Sequence, residues 1–275
     1  MIFVMDVGNT QSTMALYRES TPVHCWRLST ARHRTQDEWG ALLHLLFDTN
    51  GLAMSEVSGV IVSSVVPPAD APLREMCRRY FKREPLFVAP GIKTGVPVLY
   101  ENPAEVGADR IVNAVAVIAR YDLPAIVVDF GTATTFDVLD AKGNYLGGAI
   151  APGLAISAEA LFEKTAKLPK VEISKPSRVV GKTTVQSMQS GLYWGYVGLV
   201  EGILKRMKKE FGPVRTVVAT GGLATVIASE CPAIGVVDET LTLDGLRIIF
   251  EKNQPEKNQP EKNAQAGGRG GEAPA

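Results

Sequence analysis

The sequence predicts an α/β protein built from two similar halves, and three observations carry that reading. Short β-branched runs alternate with stretches of helical spacing up to about residue 250. A strand–acid–glycine–strand unit occurs twice, about 120 residues apart. The chain's 275 residues, 45% of them hydrophobic, are enough for one large or two modest domains with a sizeable core.

The repeated unit is clearest at Ile126-Val127-Val128-Asp129-Phe130-Gly131-Thr132-Ala133-Thr134-Thr135-Phe136. Three β-branched residues suit a packed, pleated surface. Asp129 then sets a carboxylate at the strand end, and Gly131 lets backbone turn tightly or meet a ligand without a Cβ in the way. Thr132, Thr134 and Thr135 add hydroxyls before a second alternating strand. The N-terminus repeats the layout as Ile2-Phe3-Val4-Met5-Asp6-Val7-Gly8-Asn9-Thr10, followed by Gln11, Ser12 and Thr13 on a returning strand. Bare N–H groups and hydroxyls at such bends suit phosphate, while the acids suit a cation. Two copies suggest two halves facing one nucleotide.

In chain order, residues 2–7, 14–17 and 25–29 read as strands. A helix follows over 35–47, with Trp39, Leu42, Leu43 and Leu46 on one face and Thr35 and Glu38 spaced as a capping box. Residues 57–66 read as a strand stopped by Pro67-Pro68, then come a helix over 71–81 and a short strand at 86–88. A Gly/Pro/Asn-rich loop over 91–104 carries Tyr100, and a helix runs from Val106-Gly107-Ala108-Asp109-Arg110 to about residue 121, its inner face Ile111, Val112, Val115 and Ile118. The second half shows strands at 125–130, 133–139 and 145–150, a helix over 154–162, a polar basic loop over 164–182 and a long helix over 183–210. A strand at 216–219 ends in Thr220-Gly221-Gly222, and helices follow over 223–229 and 241–250. The halves divide at 118/119, and residues 251–275, a Glu-Lys-Asn-Gln-Pro repeat and a glycine-rich end, read as a disordered tail too polar to offset its ordering entropy.

Composition excludes several classes. Lys+Arg and Asp+Glu are both 29, so nothing marks a nucleic-acid or anionic membrane partner. Cys25, Cys77 and Cys231 are widely spaced and do not cluster with His24, His33 or His44, which points to a reduced, cytoplasmic setting and no zinc site. No signal peptide or bilayer-spanning run is expected. Gly181-Lys182-Thr183 is not a P-loop, because Pro176 stands where the first glycine belongs. No G-x-G-x-x-G supports a Rossmann site. By itself Asp109 reads first as an acid favoured by a helix N-terminus, with Arg110 solvated; the alternative is a base for a hydroxyl, with Arg110 holding an anion. Gly221-Gly222 reads as a tight turn or as a bed for a flat ring. Tyr193, Trp194 and Tyr196, with Gly191, Gly195, Gly198 and Gly202 on the same helix, read as core or subunit interface.

Taken together, Asp6-Val7-Gly8-Asn9-Thr10, Gly107-Ala108-Asp109-Arg110, Asp129-Phe130-Gly131-Thr132-Ala133-Thr134-Thr135, Gly148-Ala149-Ile150-Ala151-Pro152-Gly153-Leu154, Thr183-Thr184-Val185-Gln186-Ser187 and Thr220-Gly221-Gly222 resemble the type III pantothenate kinases of the acetate-kinase/sugar-kinase/Hsp70/actin superfamily. The resemblance implies two ribonuclease-H-like halves with a nucleotide cleft between them, and transfer of the ATP γ-phosphate to pantothenate. Asp6 to Thr13 would form the first phosphate loop, with Thr132 in the second and Gly221 and Gly222 toward the nucleotide. Asp109 would be the base, and Tyr100 with Gly107 to Arg110 would contact pantothenate. Asp129 would hold a monovalent cation, potassium or ammonium, and Asp6 magnesium through water. Thr184 would reach substrate from the partner in a homodimer. The alternatives are a non-catalytic accessory protein on the same scaffold and a kinase for another small hydroxyl-bearing acceptor.

Overall fold

The computed structural model describes residues 1–254. Its first sheet contains β1 (Ile2–Val7), β2 (Gln11–Arg18), β3 (Thr21–Ser29), β4 (Gly59–Ser64) and β5 (Leu86–Phe87), in the order β3-β2-β1-β4-β5. Its second contains β6 (Ala125–Phe130), β7 (Ala133–Leu139), β8 (Tyr145–Pro152), β9 (Thr216–Thr220) and β10 (Val236–Val237), in the order β10-β9-β6-β7-β8. The two sheets are one topology written twice. β1 pairs antiparallel with β2 and parallel with β4, as β6 does with β7 and β9. The duplicated sequence unit is thus the central hairpin of each sheet, in the actin-like arrangement the resemblance implied.

Helix α1 (Gln36–Thr49) starts as its sequence dictates: Thr35 Oγ1 accepts the Glu38 N–H at 3.3 Å, and Glu38 Oε2 accepts the Thr35 N–H at 2.7 Å. Helix α2 (Pro67–Met76) begins four residues before the expected start and widens into a π-helical turn over Cys77–Phe81. The proline pair stops β4 and also opens the helix, because the missing N–H costs nothing at the first helical position. Helices α4 (Leu154–Glu163), α5 (Thr184–Phe211) and α6 (Ala224–Ala228) cover the second sheet.

Helices α3 (Ala108–Arg120) and α7 (Leu241–Lys252) lie against each other between the sheets. α7 follows the second sheet in sequence yet packs on β1, β2 and β4, while α3 packs on β4, β6 and β7. Val112, Ala114, Val115, Ala116 and Val117 are all buried, as are Arg110 and Asn113, so α3 is enclosed nearly all round rather than on the one face expected. Gly245 permits the crossing, since a Cβ there would collide with the Val112 carbonyl. At the far end Arg120 bridges Asp244 and Asp238, the latter at 2.9 Å, while Tyr17 of β2 donates to Asp244 at 2.8 Å and Tyr121 to Asp238 at 2.7 Å.

The polar tail starts later than residue 251. Glu251 and Lys252 complete α7, and Lys252 Nζ donates to the Thr94 carbonyl at 2.9 Å. Asn253 accepts the Lys93 N–H at 3.1 Å and donates to the Lys93 carbonyl at 2.9 Å. The rest of the expected tail, 255–275, lies outside the described residues.

Candidate active site

The two sequence units fold into matching turns. Gly8 N–H donates to the Gln11 carbonyl at 3.0 Å, and Gly131 N–H to the Ala133 carbonyl at 3.1 Å. Asp6 stands in register with Thr13 on one side and Ser63 on the other. Asp129 stands likewise between Thr135 and Thr220. The turns meet, for Thr10 Oγ1 and Thr132 Oγ1 share a hydrogen bond of 2.8 Å across 122 residues of sequence. Each sheet therefore presents an acid, a glycine turn and hydroxyls to the same cleft, the arrangement a polyphosphate needs.

Asp109 enters this cleft from the N-terminus of α3. Its carboxylate folds back over the turn, where Oδ1 accepts the Arg110 N–H at 2.9 Å. Gly107 leaves the room for this, since a Cβ there would press on Asp109 Oδ1. Burial pushes the Asp109 carboxyl above its usual range, against the pull of the Arg110 N–H and charge. Asp6 is raised to about 7 by burial and by repulsion from Asp109 and Asp129. Asp129 is likewise raised to about 7 by burial and by Asp109, although Asn113 Nδ2 donates to its Oδ2 at 3.0 Å. Three carboxylates that repel one another are a place for positive charge. The buried Ser63 hydroxyl lies in register with Asp6, partly offsets the rise of its pKa, and offers a further oxygen. Among the described residues no group of three or more His, Cys, Asp or Glu is close enough to cage a metal alone.

A second cluster adjoins Asp109. Arg110 Nε donates to Asp137 Oδ1 at 2.7 Å, Tyr145 donates to the same oxygen at 2.7 Å, and Thr135 Oγ1 donates to Asp137 Oδ2 at 3.1 Å. The Arg110 guanidinium lies 5.7 Å from the Tyr145 ring centroid, and the Tyr100 ring lies 6.5 Å from that of Tyr145. Gly147, at φ +116°, lies under the Tyr100 ring, where a Cβ would come within 3.1 Å of it. Tyr100 and Arg110 therefore both lie by Tyr145, with Gly107, Ala108 and Asp109 immediately before Arg110 in the chain.

The remaining expected residues fall in several places. Asn9, Thr10 and Gln11 are exposed at the first turn, whereas Val7 is core. Ser12 is fully buried and hydrogen-bonds Thr30 Oγ1 at 2.8 Å, so its hydroxyl is already engaged. Gly221, at φ +94°, packs against Asp129 and the Phe130 backbone, where a side chain would not fit. Gly222 is exposed, and its nearest foreign atom is the Arg27 guanidinium of the opposite half, 4.0 Å from where a Cβ would be. Thr183 is an ordinary helix cap, accepting the Gln186 N–H at 3.2 Å, in keeping with the absence of a P-loop. Thr184 is exposed at the start of α5 and makes no side-chain hydrogen bond among the described residues. On α5, Tyr193 and Tyr196 turn into the chain's own core, while Gly191, Gly195 and Gly198 face open space. A groove of about 500 Å³ runs there between Val179, Val180, Gly191, Trp194 and Gly195.

Asn113 and Asp137 were not singled out from the sequence. Asn113 links Asp129 to α7, since its Oδ1 accepts from Thr242 Oγ1 at 2.7 Å.

Comparison with known proteins places this site in a family. The profile of the type III pantothenate kinases matches residues 2–206. A type III pantothenate kinase of Syntrophotalea carbinolica is 57% identical over 254 residues, covering 92% of this chain and 100% of the relative. One of Koribacter versatilis is 54% identical over 265 residues, covering 92% and 96%. Among solved structures, a Campylobacter jejuni protein provisionally described as a Baf family transcriptional activator superposes with TM-score 0.58 at 17% identity, covering 91% of this chain and 98% of that one. Ethanolamine utilization protein EutJ of Carboxydothermus hydrogenoformans gives TM-score 0.54 at 16% identity, covering 90% and 89%. These structures share the fold. The chain belongs to the type III pantothenate kinase family.

Proposed function

We propose that this protein transfers the γ-phosphate of ATP to pantothenate, giving 4′-phosphopantothenate, the first step toward coenzyme A. The observation that carries the proposal is the convergence of Asp6, Asp109 and Asp129 where two phosphate-type turns meet, in a chain of this family. The Gly8–Thr10 turn and the hydroxyls of Thr10, Thr13 and Thr132 cradle the phosphates. Asp6 would hold the magnesium that accompanies ATP, through water, and Asp129 would hold potassium or ammonium; when bound, these cations would supply positive charge beside the transferring phosphate. Asp109, kept basic by its buried setting, takes the proton from the acceptor hydroxyl. Arg110 meets the pantothenate carboxylate and Tyr100 borders it.

Thr184 acts in the partner's site. The glycine face of α5 is open and flanked by exposed Val179 and Val180, which suits a two-fold packing of α5 against its copy. The setting is cytoplasmic, with no nucleic-acid or membrane partner; among the described residues no helix is long and apolar enough to cross a membrane. An accessory, non-catalytic role is disfavoured because Asp6, Asp109 and Asp129 are all retained. The test is a panel of hydroxyl-bearing acceptors assayed with MgATP in potassium, ammonium and sodium salts. Pantothenate should be the preferred acceptor, with high rates in potassium or ammonium and poor ones in sodium. Preference for another acceptor, or equal rates in all three salts, would overturn the corresponding part.

A further inference from the structure

Asp137 is a carboxylate with no solvent exposure, one strand residue beyond the second phosphate turn's threonines, and nothing in the reaction as described uses it. Its surroundings are all donors: Arg110 Nε and the Tyr145 hydroxyl on Oδ1, the Thr135 hydroxyl on Oδ2. Burial pushes the Asp137 carboxyl above its usual range, while the Arg110 charge and the hydrogen bonds from Tyr145, Arg110 and Thr135 pull it back toward the ionised form. Its partner is just as enclosed, for the Arg110 side chain is 9% exposed.

The geometry points to Asp137 as the positioning residue for Arg110, and through it for the carboxylate of the acceptor. Nε is the only guanidinium nitrogen of Arg110 with a hydrogen bond among the described residues. Both Nη groups are left free, beside Asp109 and the Tyr100–Tyr145 ring pair. A guanidinium anchored at Nε, with its Cζ 5.7 Å from the Tyr145 ring centroid, has its planar fork restrained in direction, and that fork matches a carboxylate in two parallel hydrogen bonds. Asp137 also neutralises the buried arginine. The anionic acceptor is then recognised by aimed donors rather than by a bare positive charge, which a free phosphate could satisfy equally. Because Asp109 and Arg110 are adjacent on α3, fixing the arginine also fixes where the acceptor hydroxyl falls relative to the base.

This role rests on the assignment of pantothenate as acceptor, and the experiment separates the two. Wild type and Asp137→Asn are compared in KM for pantothenate, KM for ATP, kcat and melting temperature. The amide keeps the volume and one acceptor but removes the charge. The KM for pantothenate should rise roughly 10- to 100-fold, the range of one charge-assisted hydrogen bond, while KM for ATP stays within about twofold. In an Arg110→Lys background, whose point charge lacks the fork, the same change should add less than about threefold. Tyr145→Phe, which frees the shared Oδ1 without altering charge, serves if the asparagine variant does not fold. It should raise the pantothenate KM about three- to tenfold and leave that for ATP unchanged. Unchanged pantothenate KM in both folded variants, equal rises in both KM values, or full additivity with Arg110→Lys would overturn the inference. A wild-type enzyme that phosphorylates some acceptor without a carboxylate would instead remove the reading on which it rests, and this role for Asp137 with it.

Discussion

Replacing Asp129 by asparagine should make the ligand-free protein more stable while disabling it. Burial and the neighbouring Asp109 raise the Asp129 pKa from 3.8 to about 7. In the unfolded chain the group titrates near its ordinary value. Below about pH 4 the carboxyl is protonated in both states and costs nothing. Between pH 4 and 7 the folded chain retains a proton that the unfolded chain has released, so stability falls as pH rises. Above pH 7 the loss is complete. About three pKa units at roughly 1.4 kcal/mol each set a ceiling near 4 kcal/mol, and solvent reaching the cleft brings this to about 2 kcal/mol. The amide is neutral at every pH, and its carbonyl can still accept from Asn113 Nδ2. At roughly 2–4 °C per kcal/mol for a chain of this size, Asp129→Asn should melt about 4–8 °C above wild type at pH 8. The gap should shrink toward zero as the pH is lowered to 4. Potassium with MgATP should raise the wild-type melting point more than the variant's, and the variant should be inactive at saturating potassium. Calorimetric scans at four or five pH values decide it. A variant that melts at or below wild type at pH 8, or a gap that does not narrow on acidification, would refute the view that these acids are held together against their own repulsion.

Asp109→Asn should lower kcat by about 10²- to 10⁴-fold, the worth of a general base, with the KM for ATP nearly unchanged; near-full turnover in steady-state assays would make the acid structural. The protein should sediment as a dimer at micromolar concentration, and mixing inactive Asp109→Asn and Thr184→Ala chains should restore activity, because one site of each heterodimer then carries neither lesion. A fully active monomer would exclude the shared site. Truncation after Gln254 should leave the melting point unchanged, whereas truncation after Phe250 should lower it by several degrees, since it removes the hydrogen bonds that Lys252 and Asn253 make to residues 93 and 94; equal melting points for the two truncations would show that those bonds contribute nothing.

How much of the fold was legible depended on whether an element carries its own signal. Val60-Ile61-Val62 and Ile126-Val127-Val128 are buried on both faces and wrote that burial into sequence as β-branched runs. α1 declared its first residue through Thr35 and Glu38. β3 did not declare itself fully: its first residues, Thr21 and Pro22, carry no strand pattern and are strand because β2 pairs with them, a property of the partner rather than of the segment. β10, two residues long, exists through its pairing with β9 and has no local pattern to read. The aromatic residues of α5 were legible as packing and ambiguous as to which packing. Tyr193 and Tyr196 face the second sheet's core, so any subunit contact there falls to the glycines and Trp194 instead.

The site divides along the same line. The two Asp-x-Gly turns are local, so their geometry could be read from a few consecutive residues. Asp137 could not be, since Phe136-Asp137-Val138 shows the alternation of a strand with one wet face, and a charge there reads as solvated. But β7 is flanked by β6 and β8, and the face that receives Asp137 is turned toward α3 and closed by Tyr145 and Arg110. A charge on an interior strand next to a ligand turn is then a different signal from a charge on an edge strand. It must find its counter-ion from another element, and here that is Arg110 of α3. Asn113 follows the same logic, as its two bonds reach Asp129 and Thr242 from a helix position that spacing alone assigns to the core. Such residues join the duplicated halves, so neither half's sequence records them by itself.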